Sequence, residues 1–281
     1  MIATLLQKEI EKLAPMPASL TRLASVISDP NSSVADVVTV VEFDQALTAN
    51  ILRLANSSWS ASPTPVDTVR AAVLRLGGGR VFELAVGNQV AGPMSKSCPA
   101  YDLGEYELWR HSVASALAAE HLAEFATVRV SSAAFTAALL HDIGKLLINR
   151  TVGANVAEQI TKTAETKHVT YIEAERLVLG TDHAEAGAAI ARHWRFPSDI
   201  VNAIEHHHDP DQTVHRVLDA VHIANAVAKL IGVGLGSEQM NMKASSQAAA
   251  RLGLSSGGLE SLCATVRTEL ARTEALWKIG G

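Results

Sequence analysis

The stretch AALLHDIGKLLINR (137–150) sets His141 beside Asp142 between apolar runs, with Lys145 three residues further on. An imidazole and a carboxylate inside such a run are costly to bury unless something pairs with them. Three other places carry the same residue types. Glu107 and His111 stand i, i+4 in EYELWRH, a spacing that puts both on one face of a helix. His183 sits at the start of a predicted helix in TDHAEAG, and His206, His207 and His208 run directly into Asp209 and Pro210. Imidazole with carboxylate is a ligand set for Fe, Mn or Zn. Helical bundles build such sites from inward-facing residues on different helices. Each group also has a purely structural reading. His141–Asp142 could be a buried hydrogen-bonded pair at a helix end, and Glu107–His111 a surface pair. His183 could be an exposed first-turn residue, the histidine triple a solvated helix end, and Lys145 a helix-terminal charge.

The elements that must position these residues read as helices throughout. Pro17 suits a first turn in MPASLTRLASVIS, and Ser33 ahead of Asp36 suits a helix start in SVADVVTVVEF. Leu47, Ile51 and Leu54 share a face, and VRAAVLRLGGG runs into three glycines, a helix stop. Thr170 three residues before Glu173 forms a capping box. Pro197 opens FPSDIVNAIEHHH. No Asn-Gly or Asp-Gly hairpin between alternating residues occurs, so the expectation is an all-α protein. The Pro-, Gly- and Ser-rich stretch 90–106 marks a boundary, which predicts an N-terminal helical bundle over 1–92 packed against a second helical region over 93–281. All 11 histidines lie between His111 and His222, so any chemistry belongs to the second region. In the first, Leu20, Leu23, Val37, Val41, Leu47, Ile51 and Leu54 are simplest as core, while Trp59 is a candidate contact residue near a loop. The segment 232–247 reads as a mobile loop. His121, His168, His193, His206, His215 and His222 are read as structural or surface residues.

Composition narrows the classes. Of 281 residues, 48% are hydrophobic and only 4% aromatic, so aliphatic residues and alanine must fill a large core. The formal charge is −5 with no Lys/Arg block, which argues against direct nucleic-acid binding. The two cysteines, Cys98 and Cys263, form no metal-knuckle spacing or disulfide framework, which fits a reducing compartment. The N-terminal MIATLLQKEIEKLAP has charges within its apolar pattern and reads as an amphipathic helix rather than a signal peptide. With no run of membrane-spanning length, the expectation is a cytoplasmic protein that does not engage membranes.

The histidine pattern resembles the HD superfamily of metal-dependent phosphohydrolases, and LLHDIGK resembles its HD-GYP variety, lysine included. The wider arrangement resembles the HDOD family, found mostly in bacterial signalling and regulatory proteins. PMPASLTRLASVISDPNSSVADVVTVVEFDQALTANILRLANSS, VRAAVLRLGGGRVFELAV, LWRHSVASALAAEHLA, AALLHDIGKLLI, DHAEAGAAIARHWRFPSDIVNAIEHHHDP and VHIANAVAKLIG carry that match. The resemblance implies an HD-like C-terminal domain with Glu107, His111, His141, Asp142, His183, His207 and His208 as metal ligands. His207 and His208 are chosen over His206 because the family pattern has two histidines directly before an acidic residue and proline. It implies that Asp142 bridges two metals and that Lys145 contacts a substrate phosphate, which makes these two the catalytic candidates. It implies one or two divalent transition-metal ions, Fe or Mn favoured, with Zn or Ni as alternatives. Two departures weigh against turnover: Asn225 stands where an active relative has a late aspartate, and no Gly-Tyr-Pro follows His207–His208. The expected function is therefore a regulatory module with a retained metal site and little turnover, its partners signalling proteins or a phosphorylated small ligand. The alternative is a metal-dependent phosphatase or phosphodiesterase. A metal-free scaffold fits poorly with so many ligand-type residues in register.

Overall fold

The computed structural model describes residues 2–29, 31–56, 65–238 and 244–277. All regular structure among them is helical, as the periodicity predicts; Cys98 and Leu103 form an isolated bridge. Trp59 lies outside the described residues. In chain order the first helices are α1 (Ile2–Glu11), α2 (Ala18–Ser28), α3 (Val34–Glu42), α4 (Gln45–Ala55), α5 (Val69–Leu76) and α6 (Gly78–Met94). They are followed by α7 (Glu107–His121), α8 (Ala133–Leu140), α9 (Gly144–Thr151), α10 (Ala154–Lys167) and α11 (Tyr171–Leu179). The chain continues through α12 (His183–His193), α13 (Ser198–His206), α14 (Arg216–Leu230), α15 (Ser246–Leu252) and α16 (Ser256–Trp277). Among the described residues no helix is long and apolar enough to cross a membrane.

The chain forms two compact units, one of residues 14–92 with 194–197, the other of 1–13, 93–193 and 198–281. In the first, Leu20, Leu23, Val37, Val41, Leu47 and Ile51 are buried as their spacing requires, while Leu54 is half-buried. Three of its helices start where side chains take up free amide groups. Ser33 and Asp36 form a capping box at α3, Asp44 accepts from Leu47 N at α4, and Thr68 from Ala71 N at α5. Of the three glycines after α5, only Gly77 acts as the stop, at φ +81°; the next two open α6.

The second unit carries the histidines. Helix α7 is buried almost all round, from Leu108 to Ala119, as befits an interior helix. The stretch read as a boundary, 90–106, contains the division between the units, and its residues from 93 onward belong to this one. Helix α6 continues past Pro93 to Met94, and Cys98, Ala100 and Tyr101 are buried. The next link to function is a helix crossing. A Cβ on Gly144, the glycine of HDIGK, would stand 1.9 Å from the His183 carbonyl oxygen and 2.5 Å from Gly187 N. Only glycine lets the start of α9 approach α12 that closely, and this brings Asp142 up to His183.

Candidate metal centre

The candidate residues come from several helix ends and faces. His111 lies on α7, His141 and Asp142 in the turn between α8 and α9, and Lys145 in the first turn of α9. His183 begins α12, while His207 and His208 follow α13. All but His208, which is half-buried, are buried.

Four imidazoles commit Nδ1 to an oxygen acceptor. His111 donates to Val233 O at 2.9 Å, His141 to Ala138 O at 2.7 Å, His207 to Ile204 O at 2.8 Å and His183 to Glu175 Oε2 at 2.6 Å. With Nδ1 so occupied, each Nε2 turns inward toward Asp142. Oδ2 of Asp142 lies 3.3 Å from His141 Nε2 and 3.7 Å from His111 Nε2. Its Oδ1 lies 3.6 Å from His183 Nε2 and 3.8 Å from His207 Nε2. The carboxylate thus offers one oxygen to each pair of histidines. His141 Nε2, His207 Nε2 and Asp142 Oδ1 are buried with no hydrogen-bond partner among the described residues. Buried ring nitrogens and a carboxylate oxygen left without partners are the arrangement a cation satisfies, with the Nδ1 bonds fixing tautomer and ring orientation.

Two groups of atoms within 4.8 Å of one another follow, His111–His141–Asp142 and His183–His207–His208; a third joins Asp142, His183 and Glu238. His183 Nε2 and His208 Nε2 stand 2.9 Å apart, so a proton or a cation must lie between them. Two nitrogens each about 2.1 Å from one ion at a right angle would stand about 3 Å apart. Burial pushes His111 down to about 4, against the pull of Asp142, and holds His207 and His208 well below the usual range. These are neutral, ligand-ready imidazoles at pH 7. Burial also disfavours charge on His183, but Glu175 and Glu238 outweigh it and raise it to about 9. Burial raises Asp142 as well, and His141 and Lys145 overcome that and hold it well below the carboxylate range. Burial lifts the Cys98 thiol to about 12, which leaves no thiolate beside the site.

The structure brings together His111, His141, Asp142, His183, His207, His208 and Lys145, whose Nζ lies 2.7 Å from Asp142 Oδ2. It does not bring in Glu107, whose Oε2 accepts from Gly104 N at 2.7 Å. Asn225 faces His111, with Oδ1 at 3.1 Å from Nε2. Of the histidines read as structural, His222 supports the site: it donates from Nδ1 to His207 O at 2.7 Å and accepts from Ser245 N at 2.9 Å.

Three contributors went unread in the sequence. Glu175, on α11, is buried behind His183 and also takes the Tyr101 hydroxyl hydrogen bond. Its signal was its place on the apolar stripe with Ile172 and Leu179. Glu238 and Lys229 are buried at the site too, and Glu238 comes from the segment read as a mobile loop.

The helical cage of histidines around one aspartate stands in an all-α, HD-like fold. The HDOD domain profile matches residues 13–210, and the chain belongs to that family. Among solved structures, an HDOD domain protein of unknown function from Geobacter sulfurreducens is 25% identical, with TM-score 0.71, over 96% of this chain and 95% of its own. A proposed signal transduction protein of Marinobacter aquaeolei VT8 has TM-score 0.75 at 24% identity, over 94% of this chain and 59% of its own. A proposed phosphohydrolase of Shewanella amazonensis SB2B has TM-score 0.67 at 26% identity, over 95% of this chain and 97% of its own. An uncharacterized protein of Treponema pallidum (strain Nichols) is 24% identical over 211 residues, 74% of this chain; the match spans only 40% of that relative's length.

Proposed function

We propose that this chain is a regulatory HDOD module whose histidine cage holds one or two divalent transition-metal ions with little or no turnover. The observation that carries the reading is the convergence of the inward Nε2 atoms on the two oxygens of Asp142. His111, His141 and Asp142 would hold one ion, and His183, His207 and His208 with the other oxygen of Asp142 a second. A pair of ions bridged this way supplies Lewis acidity and an activated water when bound. The donor set fits Fe or Mn as well as Zn or Ni. Asn225, a neutral amide in the family's acidic position, argues against turnover, and the resemblance to a proposed signal transduction protein is in keeping with a regulatory role. Its partners in this reading are signalling proteins or a phosphorylated small ligand. Elemental analysis of protein purified without added metal tests the reading. Near-stoichiometric Fe, Mn, Zn or Ni, lost in His141→Ala, is expected; absence of metal sinks it.

Lys145 on Asp142 and the similarity to a proposed phosphohydrolase favour a second reading, a metal-dependent phosphohydrolase. A phosphatase and phosphodiesterase screen with added Mn or Fe decides between the two. Turnover abolished by Asp142→Ala would replace the regulatory reading.

A further inference from the structure

Two buried ammonium groups and one buried carboxylate meet beside the cage in a way that ligating a metal does not explain. Glu238 Oε1 lies 2.6 Å from Lys145 Nζ, and its Oε2 lies 2.8 Å from Lys229 Nζ. All three residues are buried. The lysines stand on separate helices, α9 and α14, whereas the carboxylate arrives on the short turn Gly236–Glu238. Oε1 is also 3.6 Å from His183 Nε2, so this carboxylate sits directly against the proposed metal ligands. That is the place an anion bound to both metal and lysines must take. The segment is shaped to reach in. Gly232, Gly234 and Gly236 alternate at φ +81°, +59° and +45°. A Cβ on Gly234 would stand 2.6 Å from His111 Cβ, and one on Gly236 2.3 Å from Tyr101 O.

We infer that Lys145 and Lys229 form an oxyanion seat for a phosphoryl group, and that Glu238 fills this seat as a built-in competitor. The inference rests on the proposed metal site for its setting, while the seat itself is made of lysines. A doubly charged phosphoryl group offers more acceptor oxygens than a carboxylate and takes the same charge-assisted hydrogen bonds. To bind it must displace Glu238, so the resting protein holds phosphate weakly. Occupancy would move the segment that also orients His111 through Val233 O. Ligand binding is thereby tied to the position of one loop.

The test is titration of inorganic phosphate into wild type and Glu238→Gln, by calorimetry and thermal shift, each with and without added Mn. Glu238→Gln should bind phosphate at least about tenfold more tightly, the scale of one lost competing charged hydrogen bond. Phosphate should also raise its melting temperature more than the wild type's, which covers a variant destabilised by the lost carboxylate charge. Gly236→Ala, which dislodges the segment but keeps the carboxylate, should change affinity in the same direction. Unchanged or weaker phosphate binding by Glu238→Gln, or loss of its bound metal, would overturn the inference, because Glu238 would then be structural or a ligand. Metal missing from the wild type would count against the proposed function alone, since the comparison without metal still reads the lysine seat.

Discussion

Behind His183, the Glu175 carboxylate accepts from Nδ1 at 2.6 Å and takes the Tyr101 hydroxyl on its other oxygen. This pairing fixes which nitrogen faces Asp142 and makes the imidazole a stronger donor. Glu175→Gln keeps the size but removes the charge, and one amide hydrogen then faces a donor. A chelator competition titration should show metal affinity reduced by about 10–100-fold. The same titration on Glu107→Gln should match wild type, because that carboxylate is engaged by Gly104 N. A reversed order would place Glu107 among the ligands. The histidines and Asp142 that converge in the cage were legible in the sequence because coordination chemistry admits few residue types and each sits in a motif. Glu238 was not, because no periodicity says where a glycine-rich segment goes. Glu175 was half-legible: a carboxylate on an apolar stripe is an anomaly, masked by the capping-box Glu173 two residues earlier.

At the scale of elements, helix starts were the most readable feature, since capping is local: Thr170–Glu173 and Ser33–Asp36 form their boxes as spaced. The division between the two units falls within the stretch 90–106, after Gly92, while Pro, Gly and Ser there predict irregular backbone and say nothing about burial. There, Tyr101 packs edge-on to His183 and lies 5.4 Å below Lys145 Nζ. The glycine of HDIGK has its reason at this scale as well. Gly144→Ala would drive a methyl group into the His183 carbonyl, against which α9 and α12 cannot both hold their places. Overpacking of this kind costs about 1–3 kcal/mol, and a backbone obstacle puts it at the upper end. Thermal melts should show the loss, and metal affinity should fall with it because Asp142 moves away from His183. A Gly144→Ala protein as stable and as metal-replete as wild type would mean that the crossing is looser than drawn.

At the scale of the whole molecule, the proposed ligands all belong to the unit of residues 1–13, 93–193 and 198–281, and none to the unit of 14–92 and 194–197. Metal binding should therefore stabilise one part of the chain. The ligands are drawn from α7, the α8–α9 turn, α12 and the end of α13, elements that an unfolded chain does not bring together. A metal that binds only the folded unit adds RT ln(1 + [L]/Kd), about 2.7 kcal/mol at a hundredfold excess over Kd. For a unit of roughly 200 residues this corresponds to a rise of about 5–10 °C in melting temperature. Scanning calorimetry with Mn against EDTA should show that rise in the transition of the histidine-bearing unit. Hydrogen exchange should place the added protection on α7, α9, α12 and α13, and leave α2 to α5 unchanged. Asp142→Ala should show a much smaller metal-dependent rise, because both proposed ions lose the carboxylate they share. A full metal-dependent rise in Asp142→Ala would place the ion elsewhere in the protein.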